Sequence, residues 1–73
     1  MDAALAENVI KIYLAELRAR LDEASGIAKA AEACGAAGNA AKGVQVALDV
    51  EPLLHDANRL LDAATMVKQL AKE

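Results

Sequence analysis

Gly35-Ala36-Ala37-Gly38-Asn39 lies at the middle of the chain, and its reading decides the fold. Two glycines followed by a residue that favours helix N-caps mark a place where one helix stops and another starts. On the N-terminal side, a spacing of alternating four and three residues picks out Ile10, Leu14, Leu17, Leu21, Ala24, Ala28 and Ala31 with no polar interruption. On the C-terminal side the same alternation picks out Val46, Val50, Leu53, Ala57, Leu60, Ala64, Val67 and Ala71. Each set is an apolar stripe along one helix. The pattern predicts a single helical domain with a first helix over 3–34, a turn over 35–39 and a second helix over 40–72.

Composition agrees. The 73 residues include 19 Ala and one Pro, and Tyr13 is the only aromatic residue. Ala loses no side-chain entropy in a helix, whereas strands favour the β-branched and aromatic residues that are scarce here, so all-β and α/β folds are excluded. Asp2 is placed to cap the first helix. Glu7/Lys11 and Glu16/Arg20 stand one turn apart with the acid first, the favourable order, and Lys68 and Lys72 suit the negative end of the second helix.

Two features disturb a plain hairpin. Ser25-Gly26 interrupts the first helix, and Pro52 falls inside the second, where an interior proline costs about 3 kcal/mol through a lost hydrogen bond and a clash one turn back. A hairpin kinked near Pro52 is the expected form. The alternative is a compact three-helix bundle with helices near 3–25, 27–48 and 50–72, in which Asp49 caps the last helix and Pro52 sits harmlessly in its first turn. The middle helix of that alternative would carry Gly35, Gly38 and Gly43, each costing about 1 kcal/mol relative to Ala.

The stripes leave apolar residues over. Leu5, Val9 and Ile12, with Tyr13, widen the first helix, and Leu54, Leu61, Met66 and Leu70 widen the second. Two helices cannot cover all of them, and a lone hairpin of this size draws only a few kcal/mol from its core. The expected remedy is a homodimer in which two hairpins form a four-helix bundle with coiled-coil packing. Leu5, Val9, Ile12, Tyr13, Leu54 and Leu61 are the expected interface, so Ile12→Glu is expected to abolish self-association or partner capture.

No constellation points to catalysis or to a cofactor. His55 is the only histidine; helical spacing places it near Glu51, Arg59 and Asp62, but one histidine and its neighbouring carboxylates fall short of a metal ligand set. Cys34 lacks a nearby histidine to act as base and reads as a small packing residue, although its place beside the turn also suits an intersubunit disulfide. The run Gly35 to Gly43 has neither the register of a phosphate loop nor a preceding strand. No small-molecule substrate is indicated, and catalytic, cofactor and metal sites are expected to be absent.

The formal net charge is -3, with no basic stripe of the kind that neutralises phosphates. No apolar run approaches the roughly 20 residues needed to cross a bilayer. The first residues carry acids rather than a basic signal region, and the single cysteine cannot form an internal disulfide, so the expectation is a cytosolic protein. Leu54-His55-Asp56-Ala57-Asn58-Arg59-Leu60 is similar to part of the second helix of the Rop family of plasmid copy-number regulators. That resemblance implies a helical hairpin that dimerises into a four-helix bundle and binds paired RNA loops. The RNA face of that family lies mainly on the first helix, with basic and amide side chains around an aromatic. Here the first helix alternates Glu7, Lys11, Glu16, Arg18, Arg20, Asp22 and Glu23, and no binding residue is carried over.

The expected function is that of a small helical protein-interaction module, an adaptor, regulator or inhibitor, acting through self-association and an apolar helix face. The alternative is a Rop-like bundle regulator that binds nucleic acid through a basic patch formed on dimerisation from Arg18, Arg20 and Lys29. A mobility-shift titration separates the two, because a phosphate-driven complex weakens steeply as salt rises.

Overall fold

The computed structural model describes residues 1–72, and these form an antiparallel helical hairpin. Helix α1 spans Ala3–Ala36, α2 spans Ala40–Ala47, a 3₁₀ turn covers Leu48–Val50, and α3 spans Glu51–Lys72. Among the described residues there are no strands. The second arm of the hairpin is therefore α2, the 3₁₀ turn and α3 in line, all packed along α1.

Local chemistry sets each boundary. Asp2 caps α1, its Oδ1 accepting from the Ala4 N–H at 3.3 Å. At the other end α1 closes in a Schellman motif. The Asn39 N–H donates to the Cys34 carbonyl at 2.9 Å and the Gly38 N–H to the Gly35 carbonyl at 3.0 Å. Gly38 takes φ 87°, a left-handed conformation that a β-carbon would oppose. Asn39 then starts the next helix, its side chain accepting from the Lys42 N–H at 3.2 Å. The turn is thus tight because one residue ends the first cap and supplies the second.

Pro52 lies in the first turn of α3, directly after the 3₁₀ segment. A proline ring clashes with the carbonyl four residues back, here that of Leu48. That carbonyl accepts instead from the Glu51 N–H, the tighter bond of a 3₁₀ turn, and the helical path continues past the proline. The helical winding thus changes at the place where the kink is expected. Ser25-Gly26 leaves α1 uninterrupted.

The overall extents are 55 × 14 × 11 Å. This excludes the compact three-helix alternative, because α1 alone runs nearly the full length of the molecule. The Cα radius of gyration is 16.7 Å, against about 11 Å for a compact chain of this size.

The seam between the arms is a heptad pattern. On α1 the seam residues are Ala6, Ile10, Tyr13, Leu17, Arg20, Ala24, Ile27, Ala31 and Cys34, and on the second arm Gly43, Val46, Val50, Leu53, Ala57, Leu60, Ala64, Val67 and Ala71, all withdrawn from solvent; Val9 and Ala63, also half-buried, flank it. The C-terminal stripe lies in the seam at every expected position. The N-terminal one does so at Ile10, Leu17, Ala24 and Ala31 only. Leu14, Leu21 and Ala28 are exposed, and their places in the seam belong to Tyr13, Arg20 and Ile27. Complementary size accounts for Tyr13 and Arg20. Cys34 lies against Gly43, and counting back by heptads in that antiparallel register brings Arg20 level with Ala57 and Tyr13 with Ala64, so these two large side chains each meet a small one, while Ile27 comes level with Val50.

Candidate functional site: the two faces of the helical layer

A two-helix layer has a seam and two broad faces, and helical spacing decides which residues flank the seam on each side. Residues one position after Tyr13, Arg20, Leu53 and Leu60 turn toward one face. Residues one position before Ile10, Leu17, Ala57 and Ala64 turn toward the other. In an antiparallel pair, like flanks share a face. Two surface depressions agree with this assignment. One brings Glu7 of α1 beside Lys68 of α3, and the other brings Arg20 beside Asp56 and Arg59.

The first face is apolar through its middle. Leu14, Leu21 and Ala28 of α1 run alongside Ala47, Leu54 and Leu61 of the second arm. The four leucines are 47%, 44%, 51% and 49% exposed in the order Leu14, Leu21, Leu54, Leu61, too wet for a core. One heptad beyond Leu14 and Leu61, toward the open end of the hairpin, Glu7 and Lys68 mark where this face becomes charged.

The second face is charged in its middle and apolar only at the open end. Glu16, Glu23, Asp49 and Asp56 flank the seam there. Arg20 reaches out of the seam toward them, its Nη2 standing 3.1 Å from Glu16 Oε2. Toward the open end, Val9 and Leu70 flank the seam, with Leu5, Ile12 and Met66 further out and exposed.

The six residues read from the sequence as one interface are therefore not one surface. Leu5, Val9 and Ile12 gather at the open end of the second face, Leu54 and Leu61 lie on the first, and half-buried Tyr13 belongs to the seam between them. Leu14 and Leu21 stand outside that set because the four-and-three spacing assigns them to the seam. Their signal was present in the sequence: each neighbours a residue, Tyr13 or Arg20, that also fits the seam.

The remaining candidates are structural in setting. His55 is exposed and lines a shallow surface depression with Glu51, Pro52, Leu54 and Asn58. Cys34 is half-buried beside the turn, 3.6 Å from where a β-carbon on Gly43 would stand, and is a free thiol. Among the described residues no group of three or more His, Cys, Asp or Glu is placed to hold a metal ion. The ion pairs Glu7/Lys11 at 3.5 Å and Glu16/Arg20 at 3.1 Å form as spaced, and Arg18/Asp22 adds a third at 3.6 Å. Lys68 borders the open-end depression of the first face; the side chain of Lys72 lies outside the described residues. No described helix is long and apolar enough to cross a membrane. Comparison of the chain with protein-family models, curated protein sequences and solved structures gives no match.

Proposed function

We propose that the chain is a small helical interaction module that works by association through its exposed apolar faces, with its own copies as the first partner. One observation carries this reading: a single layer two helices wide buries only small residues. Among the described residues, the buried hydrophobic positions are Ala6, Ala24, Ala57 and Ala64, while eleven large hydrophobic side chains remain exposed. Hydrophobic burial is the main favourable term in folding and association, and this hairpin leaves much of it unused. The alternative of a nucleic-acid regulator has less support. Arg18 and Arg20, two of the three cations of the expected Arg18, Arg20 and Lys29 patch, each sit beside an acid one turn away, which weakens the one-sided positive field that a phosphate backbone selects.

The test is light scattering coupled to size exclusion over a dilution series, with far-ultraviolet circular dichroism on each fraction. The expected result is a species larger than one chain that loses helicity as it is diluted. A helical monomer at every concentration would remove the reading.

A further inference from the structure

We propose that a second copy of the chain docks face to face on the leucine face formed by Leu14, Leu21, Leu54 and Leu61, giving a four-helix bundle whose inner layer includes the present seam. This deepens the proposed function and rests on it.

Three observations favour this occupant and this face. The first is area. The chain exposes 5256 Å², whereas a compact monomer of 7.6 kDa exposes about 4,300 Å². The surplus of roughly 1,000 Å² is close to the roughly 800 Å² that each partner contributes to a standard-size interface. A second copy thus brings the chain to the exposure expected of a compact unit, with no other partner required.

The second observation is the state of the seam. Ile10, Leu17, Leu53, Leu60 and Val67 face the opposite arm yet are only half-buried, and none of the described large side chains is fully buried. The leucine face forms the rim of that half-open seam. A second layer laid over it covers the seam residues and the four leucines together, which is how a four-helix bundle shares one core among four stripes.

The third observation separates the two faces. Two copies meeting through the other face would bury Glu16, Glu23, Asp49 and Asp56 together with Arg20 and Arg59, and taking that many charges out of water is costly. The leucine face has no charged flanking residue between Leu14 and Ala28 on α1 or between Ala47 and Leu61 on the second arm. It is self-complementary, as an isologous contact requires.

The experiment compares wild type, Leu21→Glu, the double variant Leu21→Ala/Leu54→Ala, and Ile12→Glu by light scattering and circular dichroism. Ile12 lies on the opposite face and serves as the control. The expected result is a wild-type dimer that persists in Ile12→Glu and dissociates at least tenfold more readily in both leucine-face variants. The alanine pair keeps strong helix formers at both sites and so reports the interface even where Leu21→Glu fails to fold. A wild-type oligomer that survives both leucine-face variants but is dissociated by Ile12→Glu overturns this inference and leaves the interaction-module reading standing. A wild-type monomer at all concentrations overturns both.

Discussion

A β-carbon placed on Gly43 would stand 2.8 Å from the carbonyl oxygen of Ala31, closer than real β-carbons approach. The two arms therefore touch backbone to backbone beside the turn, and the obstructing atom belongs to a helix rather than to a flexible side chain. Gly43→Ala should destabilise the hairpin by about 2 kcal/mol, in the range of overpacked cores, despite the better helix propensity of Ala. Urea denaturation followed by circular dichroism measures it. An unchanged midpoint would mean that the arms do not approach so closely.

Gly26 makes the opposite case. It lies inside α1 with open space around the position of a β-carbon. Gly26→Ala should stabilise by about 1 kcal/mol, the intrinsic cost of glycine in a helix interior. A rise in the thermal midpoint checks it, and a fall would show that something covers this position in solution.

Gly38 holds the left-handed residue of the Schellman motif. Replacing it with Ala should cost about 1 kcal/mol, since an L side chain crowds the following carbonyl in that conformation. Gly35→Ala, in ordinary helical geometry with open space beside it, is the matched control and should be neutral or stabilising. Equal effects at the two positions would count against the cap.

Arg20 occupies a seam position at the level of Ala57, with its guanidinium drawn to Glu16. The pair is part-exposed, its two side chains at 37% and 50%, and such bridges contribute little. Arg20→Leu should therefore raise stability, by about 1 kcal/mol from added apolar burial. The same substitution removes a charge that punctuates the seam, and scattering on the variant should reveal additional association states, as expected when a polar seam residue no longer specifies one register. Lower stability in Arg20→Leu would show that the ion pair outweighs the apolar gain.

Much of this architecture was legible in the sequence because it depends on local chemistry. Gly35 to Asn39 carries its own instructions for ending one helix and starting the next. Val46 to Ala71 contains one apolar stripe that runs its whole length, whereas the neighbouring one through Ala47, Leu54 and Leu61 is broken at Lys68. The first helix was harder because it holds two overlapping heptads. Leu14 and Tyr13, Leu21 and Arg20, and Ala28 and Ile27 are sequence neighbours, and apolar pattern alone prefers the set without Arg. Which set enters the seam depends on what the other arm offers, and the other arm offers Ala64 and Ala57, small enough to admit a Tyr or an Arg stem that packs its methylenes and keeps its charge in water. The division of the expected interface into two faces follows from that single displacement.

The level-by-level pairing of the arms also prescribes an order of assembly. Cys34 and Gly43 meet across a short loop, whereas Ala6 and Ala71 meet from opposite ends of the chain. Each layer made next to the turn shortens the open chain that the next must close, so the hairpin zips from Asn39 outward and frays in reverse. Amide hydrogen exchange should be slowest beside the turn and quicken toward Ala6 and Ala71, and a partner gripping the open end would act on the last part of the molecule to form.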